Sequence, residues 1–280
     1  MKQVFAFSAV ALSLALAACG GGGGDSTSTS APVATPTPVP TPTPTPIPTV
    51  QNPQAGSTAA VGNGIEGYWT TALSLLSPTS SVKSIAIVAP DGQLQAFSYG
   101  ANSYYTGTLS FSGTSWSAAG ESIINSTDGA YSDSGTFVAK TSITDPSNSA
   151  LTFDTYANAN GLAVTQGDLI GTWGSALNKI TVNGSGSFTG TSNVSGTCNV
   201  TGSITQYDAS SSKNIFRVAF TTSQGVGTTC NAPAGQTYTG LAVIDLINAG
   251  STASPNYVRT LEVIASVPHA SYLWLQLPKN

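Results

Sequence analysis

The chain has 280 residues, with 8 Lys and Arg against 12 Asp and Glu. It is 7% charged, where an ordinary globular chain is about one quarter charged. The formal charge of −4 and the lack of any Lys/Arg cluster exclude nucleic acid as a partner, because counterion release needs grouped cations. One histidine, His269, and few acids leave little for general acid–base catalysis, so a non-enzymatic protein without a cofactor is expected.

The N-terminus opens with Met1-Lys2-Gln3, and an apolar stretch from Val4 ends in small residues at Ala18. That is a secretory signal, too short and wrongly flanked to span a bilayer. Leu16-Ala17-Ala18-Cys19 resembles the lipobox of bacterial lipoproteins. The resemblance implies diacylglyceryl attachment to the Cys19 thiol, cleavage after Ala18 and N-acylation. Two or more acyl chains anchor stably where one is marginal, so the membrane is the first expected partner. Gly20 rather than Asp follows the lipidated position, which by the same resemblance directs the protein to the outer membrane.

Gly20 to Gly24 are all glycine, a Ser/Thr run follows, and proline then falls at alternate positions from Pro36 to Pro48. The first piece is a flexible coil and the second an extended polyproline-II rod. Residues 19–62 therefore read as lipid anchor and linker. Poly-Gly after the lipidated Cys also resembles surface-displayed lipoproteins of the transferrin-binding type.

Beyond the linker no dozen-residue window keeps a helical apolar period, whereas short strands with turn signals recur. The fold class expected is all-β: two antiparallel barrel or sandwich modules over 63–160 and 161–280. In the first, strands are expected over 82–89 and 93–99, joined by Pro90-Asp91-Gly92, then over 104–112, 134–142 and 150–156. Residues 93–99 alternate strictly, with Leu94 and Ala96 on one face and Gln95 and Phe97 on the other. In the second, residues 169–175 and 179–182 lead through Asn183-Gly184, a strong hairpin signal, into 187–192. Strands over 196–206, 214–222, 237–247, 257–265 and 272–277 complete it.

The two modules open alike: Gly67-Tyr68-Trp69 matches Gly171-Thr172-Trp173. Gly-x-Trp at the head of an antiparallel module resembles the first strand of lipocalin- and avidin-type barrels. The resemblance implies that each Trp plugs the closed end of its barrel under a basic side chain. Arg259 would serve Trp173 and Lys140 would serve Trp69. More broadly, the lipobox, poly-Gly, residues 135–142 and the second Gly-x-Trp module with its Cys pair resemble uncharacterised lipoproteins of β- and γ-proteobacteria. That likeness speaks to architecture and location alone.

With Cys19 acylated, Cys198 and Cys230 remain, and an oxidising envelope favours a disulfide between them. One His and two bonded cysteines do not supply the three or four ligands of a zinc site, so no metal is expected. Residues 125–133 read as a polar turn without the spaced acids of a calcium loop. The Gly62-x-Gly64-x-x-Gly67 pattern follows a proline-rich linker and precedes a strand, so it is a linker end rather than a dinucleotide loop.

Three functions are weighed. The leading expectation is a lipid-anchored outer-membrane protein that displays its modules to bind a protein, a glycan or a small ligand. The second is a lipocalin-like periplasmic carrier of a small apolar ligand, which requires an apolar interior cavity. The third is a carboxylate-based hydrolase, in which two of Glu66, Glu121 and Glu262 share a cleft.

Overall fold

The computed structural model describes residues 47–71, 84–193, 195–232, 235–250 and 255–280. The signal, Cys19 and most of the linker lie outside the described residues. The fold is all-β, with two nearly closed eight-stranded antiparallel barrels. The first comprises β1 (Gly67–Thr70), β2 (Ser84–Val88), β3 (Gln93–Ser98), β4 (Ser103–Ser112), β5 (Ser115–Ile124), β6 (Thr127–Val138), β7 (Ser142–Thr144) and β8 (Thr155–Tyr156). From β1 to β7 each strand pairs with the next, β8 pairs back to β1, and an Ile143–Phe153 bridge spans the gap between β7 and β8.

The second barrel is a meander of β9 (Gly171–Gly174), β10 (Lys179–Val182), β11 (Ser187–Ser192), β12 (Cys198–Gln206), β13 (Phe216–Gln224), β14 (Thr237–Asn248), β15 (Tyr257–Val267) and β16 (Ser271–Pro278). The chain end closes it: Lys279 bridges to Trp173, and the Asn280 amide donates to the Thr172 carbonyl at 3.0 Å.

Several local expectations change. The strand expected over 134–142 is cut by a turn between β6 and β7, and the one over 150–156 is a 3-10 turn at Ser149–Leu151 leading to the short β8. The Ser/Ala/Gly-rich β5 was not foreseen, because its residues have weak strand propensity; it is held by full ladders to β4 and β6. Residues 125–133 are a turn only at Asn125 and Ser126, both at positive φ, and β6 starts at Thr127. Residues 47–62, expected as linker, join the folded body. The Val50 amide donates to Asn158 Oδ1 and the Gln54 amide to the Gly161 carbonyl, and Thr58–Val61 forms a helical turn, α1.

The two modules form one body through a shared wall. Tyr68, Ile85, Ile87, Phe97 and Tyr104 of the first barrel pack with Ile215, Leu241, Val243 and Ile264 of the second. This explains why β2 is buried at every position and β3 on both faces. Leu94 and Ala96 fill the first barrel while Phe97 stacks on Trp274 at 5.6 Å across the wall. Polar pairs cross it too: Tyr104 Oη donates to Ser266 Oγ at 2.8 Å, and Lys213 pairs with Glu66 at 2.7 Å.

Candidate functional site

Both Gly-x-Trp motifs are built the same way. Gly67 and Gly171 have φ of 127° and 118°, a region that side chains avoid. Trp69 Nε1 donates to the Ile65 carbonyl at 2.7 Å, and Trp173 Nε1 to the Leu169 carbonyl at 2.6 Å. Each indole is fully buried with its one polar atom satisfied, so the ring serves as a large apolar plug.

The cation over Trp173 is Lys279 and not Arg259. Lys279 Nζ lies 4.6 Å from the ring centroid and donates to the Asp168 carbonyl at 2.7 Å. Arg259 stands one step away, its Nη1 donating to Asp168 Oδ1 at 2.6 Å. Closure of the barrel explains the exchange, since it pairs Lys279 directly with Trp173. Burial raises the Asp168 pKa, but hydrogen bonds from Arg259 and Thr165 outweigh it and hold the carboxyl below its ordinary value. At the first barrel, Lys140 Nζ donates to the Ala59 carbonyl at 2.6 Å, fastening α1 where Ala59 and Ile65 pack with Trp69.

The interiors differ. In the first barrel, the void among Leu94, Leu109, Trp116, Ile143, Leu151 and Phe153 is about 10 Å³, no more than one water needs. In the second, a cavity of about 200 Å³ lies among inward residues of β10 to β16. Ile180, Val200, Ile204, Val218, Val263 and Leu275 form its apolar wall. Phe188, Phe220 and Tyr238 add aromatic faces, with Phe220 and Tyr238 stacked at 4.9 Å.

Strand register places the polar lining at the end away from Leu169. Asn178, Ser192, Ser195, Thr222 and Ser271 stand there. Ser192 Oγ donates to Asn178 Oδ1 at 3.2 Å, and Tyr238 Oη to Ser271 Oγ at 3.2 Å. The expected Cys198–Cys230 disulfide is present, with Cys198 in the cavity wall. A Gly196–Cys230 bridge and an Asn231 amide donating to the Ser195 carbonyl at 2.8 Å tie the β11–β12 and β13–β14 connections together at this end.

The three glutamates weighed for hydrolysis have separate tasks. Glu66 holds Lys213, Glu121 accepts from the His269 amide, and Glu262 accepts from Trp274 Nε1 and Gln276 Nε2, both at 2.9 Å. None lines the cavity. Glu262 is fully buried in the shared wall; burial, and after it the nearby Asp245, push its pKa well above the ordinary carboxylate value. His269, exposed in the turn between β15 and β16, stands against Asp128 and Glu121 of the other barrel. No local signal announces that meeting, because those partners are 141 and 148 residues away in the chain. No family model, no curated protein and no solved structure matches this chain.

Proposed function

We propose that the chain is a lipid-anchored outer-membrane protein of the cell envelope that binds a small apolar ligand inside its second barrel. The observation that carries the reading is the cavity of about 200 Å³ walled by Ile, Val, Leu and Phe. An engineered apolar cavity of about 150 Å³ takes up benzene, so this one suits a ligand of about ten non-hydrogen atoms. The driving force is removal of apolar surface from water, and the polar end gives an attached hydroxyl or carbonyl hydrogen-bonding partners. The anchor and location rest on the Leu16-Ala17-Ala18-Cys19 pattern. No catalytic step is proposed.

The test is calorimetric titration of the purified mature protein with naphthalene beside Val218→Phe, which fills the cavity from its wall. Partition into detergent is common to both proteins and subtracts out. Saturable one-to-one uptake by the wild type, lost in Val218→Phe while the melting temperature holds, is expected. Equal heats from the two proteins would refute the reading.

A further inference from the structure

We infer that His269, Glu121 and Asp128 form a divalent transition-metal site, of the zinc class, that joins the two barrels at the β15–β16 turn. The donors come from three elements: Glu121 from β5, Asp128 from β6, and His269 from the turn between β15 and β16. One ligand atom from each lies within 4.8 Å of the others. His269 Nδ1 is 2.8 Å from Asp128 Oδ2 and 4.0 Å from Glu121 Oε2. Two ligands bound tetrahedrally at about 2.0–2.1 Å stand about 3.3 Å apart. The two distances from His269 bracket that value, and the ligand atoms of Glu121 and Asp128 lie within 4.8 Å of each other, so the three side chains can close on one ion by small rotations.

The glutamate is already aimed. The His269 backbone N–H donates to Glu121 Oε1 at 2.7 Å, leaving Oε2 as the oxygen on the imidazole side. This is the outer-shell contact that fixes a metal-ligating carboxylate. A His–Asp ion pair alone accounts for Asp128 but gives Glu121 Oε2 no role.

The donor set selects the ion. One imidazole and two carboxylates suit zinc and its first-row neighbours, whereas calcium takes six to eight oxygens. Three protein ligands leave a coordination position for water, and His269 is 74% exposed, so the ion has an open path. The turn that carries His269 leads directly into Ser271, part of the cavity's polar end. A bound ion therefore pins that end of the second barrel to the β5–β6 hairpin of the first. This inference uses only the inter-barrel geometry and does not depend on the ligand reading.

The experiment is calorimetric titration of the mature chain, free of any histidine tag, with zinc chloride. The variants His269→Ala and Asp128→Asn are run in parallel, with circular dichroism confirming their fold. One saturable site per chain is expected, with affinity at least about tenfold weaker in each variant. No saturable binding by the folded wild type, or binding unchanged in folded His269→Ala, overturns the proposal and leaves an ion pair only.

Discussion

The two barrels share strand number, direction and plug, yet among the described residues the first is packed around a void of about 10 Å³ and the second around a cavity of about 200 Å³. The difference lies in how each circuit ends. In the first, β7 has three residues and β8 two, and the irregular stretch between them turns Leu151 and Phe153 into the interior beside Trp116. In the second, β16 is a regular eight-residue strand whose Leu273, Leu275 and Leu277 line the wall. A segment folded inward fills a barrel, while a strand that completes the circuit leaves its centre to side chains too short to meet. The same sheet thus closes around packed side chains in one half and around a cavity in the other.

The plugs are where the halves should agree. Trp69→Ala and Trp173→Ala are each expected to cost about 3–5 kcal/mol, because each removes a fully buried indole from a packed end. Denaturant unfolding measures both, and a small cost at either site would break the equivalence. The disulfide separates the halves. For its separation of 32 residues, loss of the bond in Cys198→Ser/Cys230→Ser costs about 3–4 kcal/mol in the chain-entropy model. Naphthalene uptake should weaken as well, since Cys198 is part of the cavity wall; unchanged uptake would show that the bond does not shape the site.

Leu151→Ala attacks the contrast directly by hollowing the filled barrel. A cost of about 3 kcal/mol is expected, together with a benzene-sized site in the first barrel that the wild type lacks. The smallest effect concerns the shared wall. A folded-state pKa raised above the unfolded value means that Glu262 contributes fully below the ordinary carboxylate range, and that this contribution is lost as pH rises through the raised value. Glu262→Gln should flatten that decline and recover about 1–2 kcal/mol at pH 8. Parallel stability curves from pH 4 to 8 for wild type and variant would contradict it.

Much of the architecture is legible in the chain. The Asn183-Gly184 hairpin, the alternation of residues 93–99 and the repeated Gly-x-Trp follow from local chemistry, and so does the Cys198–Cys230 pair once Cys19 is set aside as the expected lipidation position. What is not legible depends on contacts between distant strands. Alternation shows that Leu94 and Phe97 face opposite ways, but not that both faces are buried. Gly107 and Gly120 look like poor strand residues until β4 and β5 are seen packed so closely that a Cβ at either would strike the other strand's backbone. Arg259 lies in a recognisable strand, whereas Lys279 reaches Trp173 only through barrel closure, which no local pattern encodes. The cavity is hidden for the same reason, because the inward residues of the two barrels are similar in kind and differ in what the last segment does.

Among the described residues, the second barrel holds the larger apolar interior. A crystal structure of the mature protein under xenon pressure tests that difference most directly, since xenon enters dry apolar cavities without needing polar partners. Xenon density among Ile180, Val218 and Leu275, with none beside Leu151 and Trp116, is the predicted result. Density in neither barrel, or equally in both, would contradict the account.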